Sequence, residues 1–168
     1  MRKWMPTILS ALAVVAMCVF IFFMSAQPAD DSTEVSMGVV DAIVRFFVPG
    51  YDQMDPAAQY AAAKGLEHVV RKIAHFSEYA LLGVLMANLM RRIQLLRRRN
   101  GGPLVSTYTV AAWIFAALYA ASDEVHQLFV PGRAFMVSDI IIDWAGISVG
   151  IFIAVGFFAL AARRRSAE

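Results

Sequence analysis

Four apolar runs, at about 8–24, 73–90, 104–121 and 140–162, constrain this chain more than any other feature. A helix needs roughly 20 residues to cross a hydrocarbon layer about 30 Å thick, and each run comes close to that length. Inside such a layer every backbone N–H and C=O must be satisfied by the chain itself, which leaves helices or closed barrels. Runs this long, without period-two alternation, read as helices. Composition agrees: 60% of residues are hydrophobic and 17% charged, against about half and a quarter in a soluble domain. The expected fold is an all-α membrane protein. Four transmembrane helices form a bundle, an extra amphipathic helix occupies the first outer loop, and residues 1–168 make one domain.

Lys and Arg collect on the cytoplasmic side of membrane proteins. Here Arg2 and Lys3 precede the first run, Arg91, Arg92, Arg97, Arg98 and Arg99 follow the second, and Arg163, Arg164 and Arg165 follow the fourth. Four spans put these three clusters on one side, with both termini. The expected location is the plasma membrane, multi-pass, with cytoplasmic N and C termini. The first run reads as a retained span, because its core is long for a signal peptide and Met24-Ser25-Ala26 is a poor cleavage site. The arginine runs are accounted for as topology signals near anionic headgroups rather than as a nucleic-acid surface. The single cysteine, Cys18, lies inside an apolar run and reads as a packing residue.

Residues 27–70 form the long outer loop. Asp31 followed by Glu34 has the spacing of a capping box. Val35, Val39, Val40, Ile43, Val44 and Phe47 then recur at helical spacing opposite Asp41 and Arg45, predicting an amphipathic helix of about three to four turns. Its apolar side either packs over the bundle or lies in the interface and covers a site, and packing is the preferred reading. Pro49-Gly50 ends it. Asp55-Pro56 has the pattern of a cap with proline at the first helical position, opening a helix that runs past Gly65 into the second span.

Three polar stretches sit at the outer ends of spans, where ionisable groups are costly unless paired or hydrated. Taking 100° per residue, Arg71, Lys72, His75, Glu78 and Tyr79 share one face of the second span, with His68. At the end of the third, Asp123, His126 and Gln127 share a face with Tyr119, and Glu124 points to its flank. A turn, Pro131-Gly132, leads to Arg133, the obvious partner for the neighbouring acids. In the fourth span Asp139 and Asp143 are one turn apart and in line with Gly146 and Gly150. Small residues at this spacing allow close helix approach, so the acids point into the bundle. Asp143 then requires protonation, hydrogen bonds, water, or a partner among Arg133, Arg71 and Lys72.

Several chemistries suit this set. Glu78, Asp123, Glu124, Asp139 and Asp143 offer oxygen ligands to a divalent cation. His75 with Glu78, and Asp123 with His126, are carboxylate–imidazole pairs three residues apart, as in metal sites within helical bundles. His75 or His126 could equally act as a general base, and Arg71, Lys72 and Arg133, with Gln127 and Tyr79, could hold a phosphate. Alternatively the whole cluster is a structural network that fixes helix register. Tyr79, Tyr119 and Trp144 also fit interfacial anchoring.

Arg71-Lys72-x-x-His75-Phe-x-Glu78-Tyr79-x-x-Leu-Gly83, Ser122-Asp123-Glu124-x-His126-Gln127-x-Phe-Val-Pro131-Gly132-Arg133 and Asp139-x-x-x-Asp143-x-x-Gly146-x-x-x-Gly150 together resemble the bacterial VanZ-like family. Met24-Ser-Ala-Gln27-Pro28 also fits, and the resemblance covers most of the chain. Many members carry asparagine at the position of Asp143. The resemblance implies an integral membrane protein of the cell envelope, and the family's founding member is associated with resistance to the glycopeptide teicoplanin.

The leading expectation is an outer-leaflet pocket that binds or modifies an anionic lipid or a lipid-linked cell-wall intermediate. In it Arg71, Lys72 and Arg133 hold phosphate, while His75, Glu78, Asp123 and His126 supply acid–base groups. The alternative is a binding or shielding module in which loop 27–70 contacts a glycopeptide or a partner and the polar cluster is structural. Ion or proton transport is a third class. Against it, no acid, histidine or lysine lies in the inner halves of the spans. Enzyme and non-enzyme, with or without a divalent cation, and any oligomeric state are compatible with these residues.

Overall fold

A computed structural model describes residues 4–97 and 103–167. Among them are five α-helices and no strand: α1 (Met5–Ser25), α2 (Ala29–Phe47), α3 (Pro56–Arg97), α4 (Thr107–Gln127) and α5 (Val137–Ala167), with a short 3-10 turn at Tyr51–Gln53. Three are long and apolar enough to cross a membrane: α1 with mean hydropathy 2.7, the 42-residue α3 with 1.3, and Val137–Arg164 of α5 with 2.3. At 21 residues α4 is long enough, but Thr107-Tyr108-Thr109 and Ser122-Asp123-Glu124 at its two ends make it less apolar than the other three. Arg2, Lys3, Arg98, Arg99 and the side chain of Arg165, which carry part of the charge argument, lie outside the described residues.

Helix α3 is the axis of the fold: α1, α2, α4 and α5 all pack against it, and it is about 63 Å long at 1.5 Å per residue, roughly twice a hydrocarbon core. Asp55 caps it as its spacing predicts, accepting from the N–H groups of Ala57 and Ala58 at 3.1 Å. The C-terminal half packs against α1, α4 and α5, and the N-terminal half carries α2. Against α5 the approach is at backbone distance. A Cβ on Gly150 would overlap the Ala80 carbonyl, and one on Gly83 would stand 2.6 Å from the Ile147 carbonyl oxygen. Hydrocarbon offers no hydrophobic drive for helices to associate, so dispersion contacts of this closeness supply it. Ala112, Ala116 and Ala120 give α4 a small-residue face on the same core, which also holds Ile21, Leu82, Ile147 and Ala154. Large apolar side chains point outward, among them Phe23, Leu118 and Phe152.

Polar cross-links within the bundle are few and directional. The Tyr119 hydroxyl donates to the Cys18 carbonyl at 2.6 Å, tying α4 to α1. Asn88 donates to the Ser10 hydroxyl at 3.1 Å, and Trp113 to Ser148 at 3.0 Å. Tyr119 is thus a helix cross-link, and Trp144 donates to the Ala117 carbonyl at 3.3 Å. Cys18 is partly buried against the core, in keeping with a packing role.

The outer helix differs from its expected form in two ways. It spans 19 residues, about five turns, and opens at Ala29 after Pro28 with no side-chain cap. Asp31 therefore lies within it, because the extended backbone of Pro28 already marks the start. Its apolar arc is also split. Val40 and Val44 are buried with Tyr51 and Ala63, whereas Val35, Val39, Ile43, Phe46 and Phe47 stay exposed. The Tyr51 hydroxyl anchors this small cluster by donating to Asp41 at 3.0 Å. Burial and the adjacent Asp41 raise its pKa, so it remains a donor.

Candidate functional site

A cavity of about 170 Å³ opens at the end of the bundle that holds the acidic motifs. Helix α1 contributes Ile21, Met24 and Ser25, and Gln27 follows it; α2 contributes Ser32, Val35, Ser36 and Val39. The opposite wall is Val70, Arg71, Ala74, His75 and Glu78 of α3, closed by Asp123 of α4 and Arg133 from the turn before α5. One wall thus mixes Ile21, Met24, Val35 and Val39 with three serines and a glutamine, and the other is cationic and titratable. The volume equals roughly five or six water molecules in the liquid, enough for a phosphate with a few attached atoms.

Two latches assemble the site. The Ala29 N–H donates to the Pro131 carbonyl at 3.2 Å, and Arg133 Nε donates to the Gln27 carbonyl at 3.2 Å. The α1–α2 connection is thereby fastened to the α4–α5 turn. Arg71 forms an ion pair with Glu67 and donates to the Thr33 hydroxyl at 2.8 Å, joining α3 to α2. Lys72 Nζ pairs with Asp139 Oδ1 at 2.8 Å, joining α3 to α5.

The structure brings most of the predicted residues together but pairs them differently. His75, Glu78, Asp123, Arg71 and Arg133 face the cavity, while Lys72 is engaged by Asp139 on its flank. Arg133 was expected to pair with acids; its resolved bond is to a backbone carbonyl, although Asp123, Glu124 and Asp139 lie within electrostatic reach. Burial and the nearby Arg71 charge press its pKa below the usual guanidinium value, yet a guanidinium stays charged in proteins. Asp143 finds none of its three expected partners. It is 1% exposed, His75 Nδ1 stands 3.9 Å from its Oδ1, and neither carboxyl oxygen has a hydrogen bond. As its spacing implies, it shares the buried stripe of Gly146 and Gly150.

Glu124 is buried rather than flanking, and one of its oxygens accepts from the Met136 N–H at 2.9 Å. Tyr79 is completely buried instead of anchoring at an interface. It lies with Ser25 against Asp123, and neither hydroxyl makes a hydrogen bond of standard geometry. His126 stacks on Phe22, ring centroids 4.6 Å apart, and with the buried Gln127 it stands behind the cavity wall. His68 is exposed and outside the site.

Several buried polar atoms in and around this cluster lack partners, including His75 Nδ1, His126 Nδ1, Arg71 Nε, the Tyr79 hydroxyl and Glu124 Oε1. Native structures leave few such atoms unsatisfied, and each costs about 1–3 kcal/mol. Among the described residues no three His, Cys, Asp or Glu side chains group as metal ligands, because Asp139 and Glu124 are already engaged by Lys72 and a backbone amide.

Sequence reasoning missed Ser25, Gln27, Ser32, Thr33, Ser36 and Glu67. Ser25 and Gln27 fell within a recognised motif, but their facing the cavity depends on the latch between two turns. Glu67 lies four residues before Arg71, a spacing that by itself predicts an ion pair.

A family model described as VanZ/LLP1 matches residues 10–160. No curated protein matches the chain, and no solved structure does.

Proposed function

The chain belongs to the VanZ/LLP1 family, and from that premise we propose that it binds the phosphate of an anionic lipid, or of a lipid-linked cell-wall intermediate, in an outer-leaflet cavity. In this reading the chain is a single domain with four spans, α4 included, and both termini are cytoplasmic. The positive-inside distribution supports the orientation. Glycopeptide resistance, the phenotype attached to the family's founding member, would then follow from action on envelope lipids.

The observation that carries the reading is the placement of Arg71 and Arg133 in a cavity whose facing wall offers Ile21, Met24, Val35 and Val39 among serine hydroxyls. Guanidinium forks suit phosphate oxygens, and the unpartnered Arg71 Nε offers a donor. The cavity is too small for a whole lipid-linked saccharide, so only the phosphate and its immediate neighbours enter. Val35 and Val39 line both this cavity and an open apolar strip on α2 that continues over Ile43 and Phe46. That strip gives the attached chain a way out toward lipid. His75, Glu78 and Asp123 stand around the phosphate position as acid–base groups, with His126 behind them.

Thermal unfolding in detergent tests this with three soluble probes: dioctanoyl phosphatidic acid, dioctanoylglycerol and glycerol phosphate. A ligand at 100 times its Kd stabilises by about 2.7 kcal/mol. The expected result is a rise in Tm with phosphatidic acid alone, reduced by Arg133→Gln. Equal shifts in wild type and Arg133→Gln would overturn the assignment.

The shielding alternative draws on Phe46 and Phe47, 82% and 72% exposed at the end of α2. It predicts that Phe46→Ser with Phe47→Ser abolishes resistance while leaving the phosphatidic-acid shift intact.

A further inference from the structure

The opposite end of α3 carries a second site of different construction. About 25 Å along the helix from His75, a groove of about 340 Å³ lies between α3 and α5. Asn88, Arg91 and Arg92 form its polar wall, and Phe157, Phe158 and Ala161 its apolar one. A smaller groove between α3 and the start of α1, lined by Pro6 and Thr7, shares Arg92 and Leu95 with it. Arg92 thus stands on the ridge between two grooves, and its Nε is buried without a hydrogen-bond partner.

The wall is built rather than incidental. Gln94 is 1% exposed; its side chain accepts from Arg91 at 3.0 Å and donates to the Pro103 carbonyl at 3.1 Å. That holds the Arg91 guanidinium at the groove. Asn88 is fixed by its bond to Ser10. Among the described residues the acids lie toward the other end of the bundle, and the nearest along α3 is Glu78, about 15 Å from Asn88.

We infer that this groove is a binding site for the headgroup of an anionic phospholipid, with Arg92 on the phosphate and the acyl chains along Phe157 and Phe158. Paired guanidiniums beside an apolar wall match a molecule that is anionic at one end and hydrocarbon at the other. A soluble anion would leave the phenylalanine wall uncovered. A lipid without a phosphate would leave the buried Arg92 donor unmet, and a zwitterionic headgroup would set its own cation beside Arg91 and Arg92.

Native mass spectrometry of the protein from micelles with equal phosphatidylglycerol and phosphatidylcholine reads the site directly. Wild type should retain phosphatidylglycerol in preference. Arg92→Gln should cut that preference about fivefold, the usual effect of one basic residue at an anionic surface. Ala161→Leu, which fills the groove and leaves every charge in place, should cut it as well. Equal retention of the two lipids by wild type would overturn the inference. So would full preference in Ala161→Leu, which would reduce the site to diffuse surface charge.

Discussion

The α3–α5 seam and the cavity beside it lie on the same helix a few turns apart, and they are built on opposite terms. At the seam, glycines bring backbones into contact and leave no polar side chain unaccounted for along Gly83, Ile147 and Gly150. In and behind the cavity, eight side chains present buried atoms without hydrogen-bond partners: Ser25, Arg71, His75, Tyr79, Glu124, His126, Gln127 and Asp143. The seam maximises contact, and the site gives up stability to hold polar groups ready. The difference teaches that the rigid seam is what allows the unsatisfied groups to persist, because it fixes α3 and α5 independently of any pairing inside the cavity.

Substitutions that add volume at the seam test this most severely. Gly150→Val drives a side chain into the Ala80 carbonyl. Overpacking usually costs about 1–3 kcal/mol, and here backbone rather than a flexible side chain must yield. The variant should fail to give a folded protein in detergent, measured by size-exclusion profile and thermal unfolding. If it unfolds like wild type, the seam is not the scaffold.

Within the site the sign should reverse. Asp143→Asn, and more so Asp143→Leu, removes a buried carboxyl that has no hydrogen bond. Replacing an unsatisfied buried polar group by an apolar one of similar size is nearly neutral or stabilising. Tm should stay or rise by an amount equal to about 1 kcal/mol. A large fall would show that Asp143 is a structural partner after all.

The smallest effect is expected at the margin between the two regions. Lys72→Met breaks a pair whose members are 27% and 18% exposed. Partial exposure limits its worth to about 1 kcal/mol. A double-mutant cycle with Asp139→Asn would measure it, and a coupling several times larger would place this pair with the scaffold.

Much of this contrast could be read from the chain, and the reasons are specific. The Gly146–Gly150 spacing and the acids in line with it place Asp143 on a packing face, since a helix fixes which residues share a side. The long α3 was legible because no proline follows Pro56 until Pro103. Helical phase does not say which residue of another helix stands opposite. Arg133 therefore met a backbone carbonyl instead of an acid, and Lys72 met Asp139 while Asp143 was left with His75. The split face of α2 was hidden for the same reason: its valines repeat correctly, but only Val40 and Val44 find α3.

The most direct measurement of the central claim is dipolar dephasing between arginine guanidinium carbons and lipid phosphorus in bilayers of phosphatidic acid. The account predicts a dephasing component corresponding to a contact of about 4 Å, the separation in a guanidinium–phosphate fork, that weakens in Arg133→Gln, weakens separately in Arg92→Gln, and falls furthest in the double variant. Dephasing identical in wild type and Arg133→Gln would contradict it.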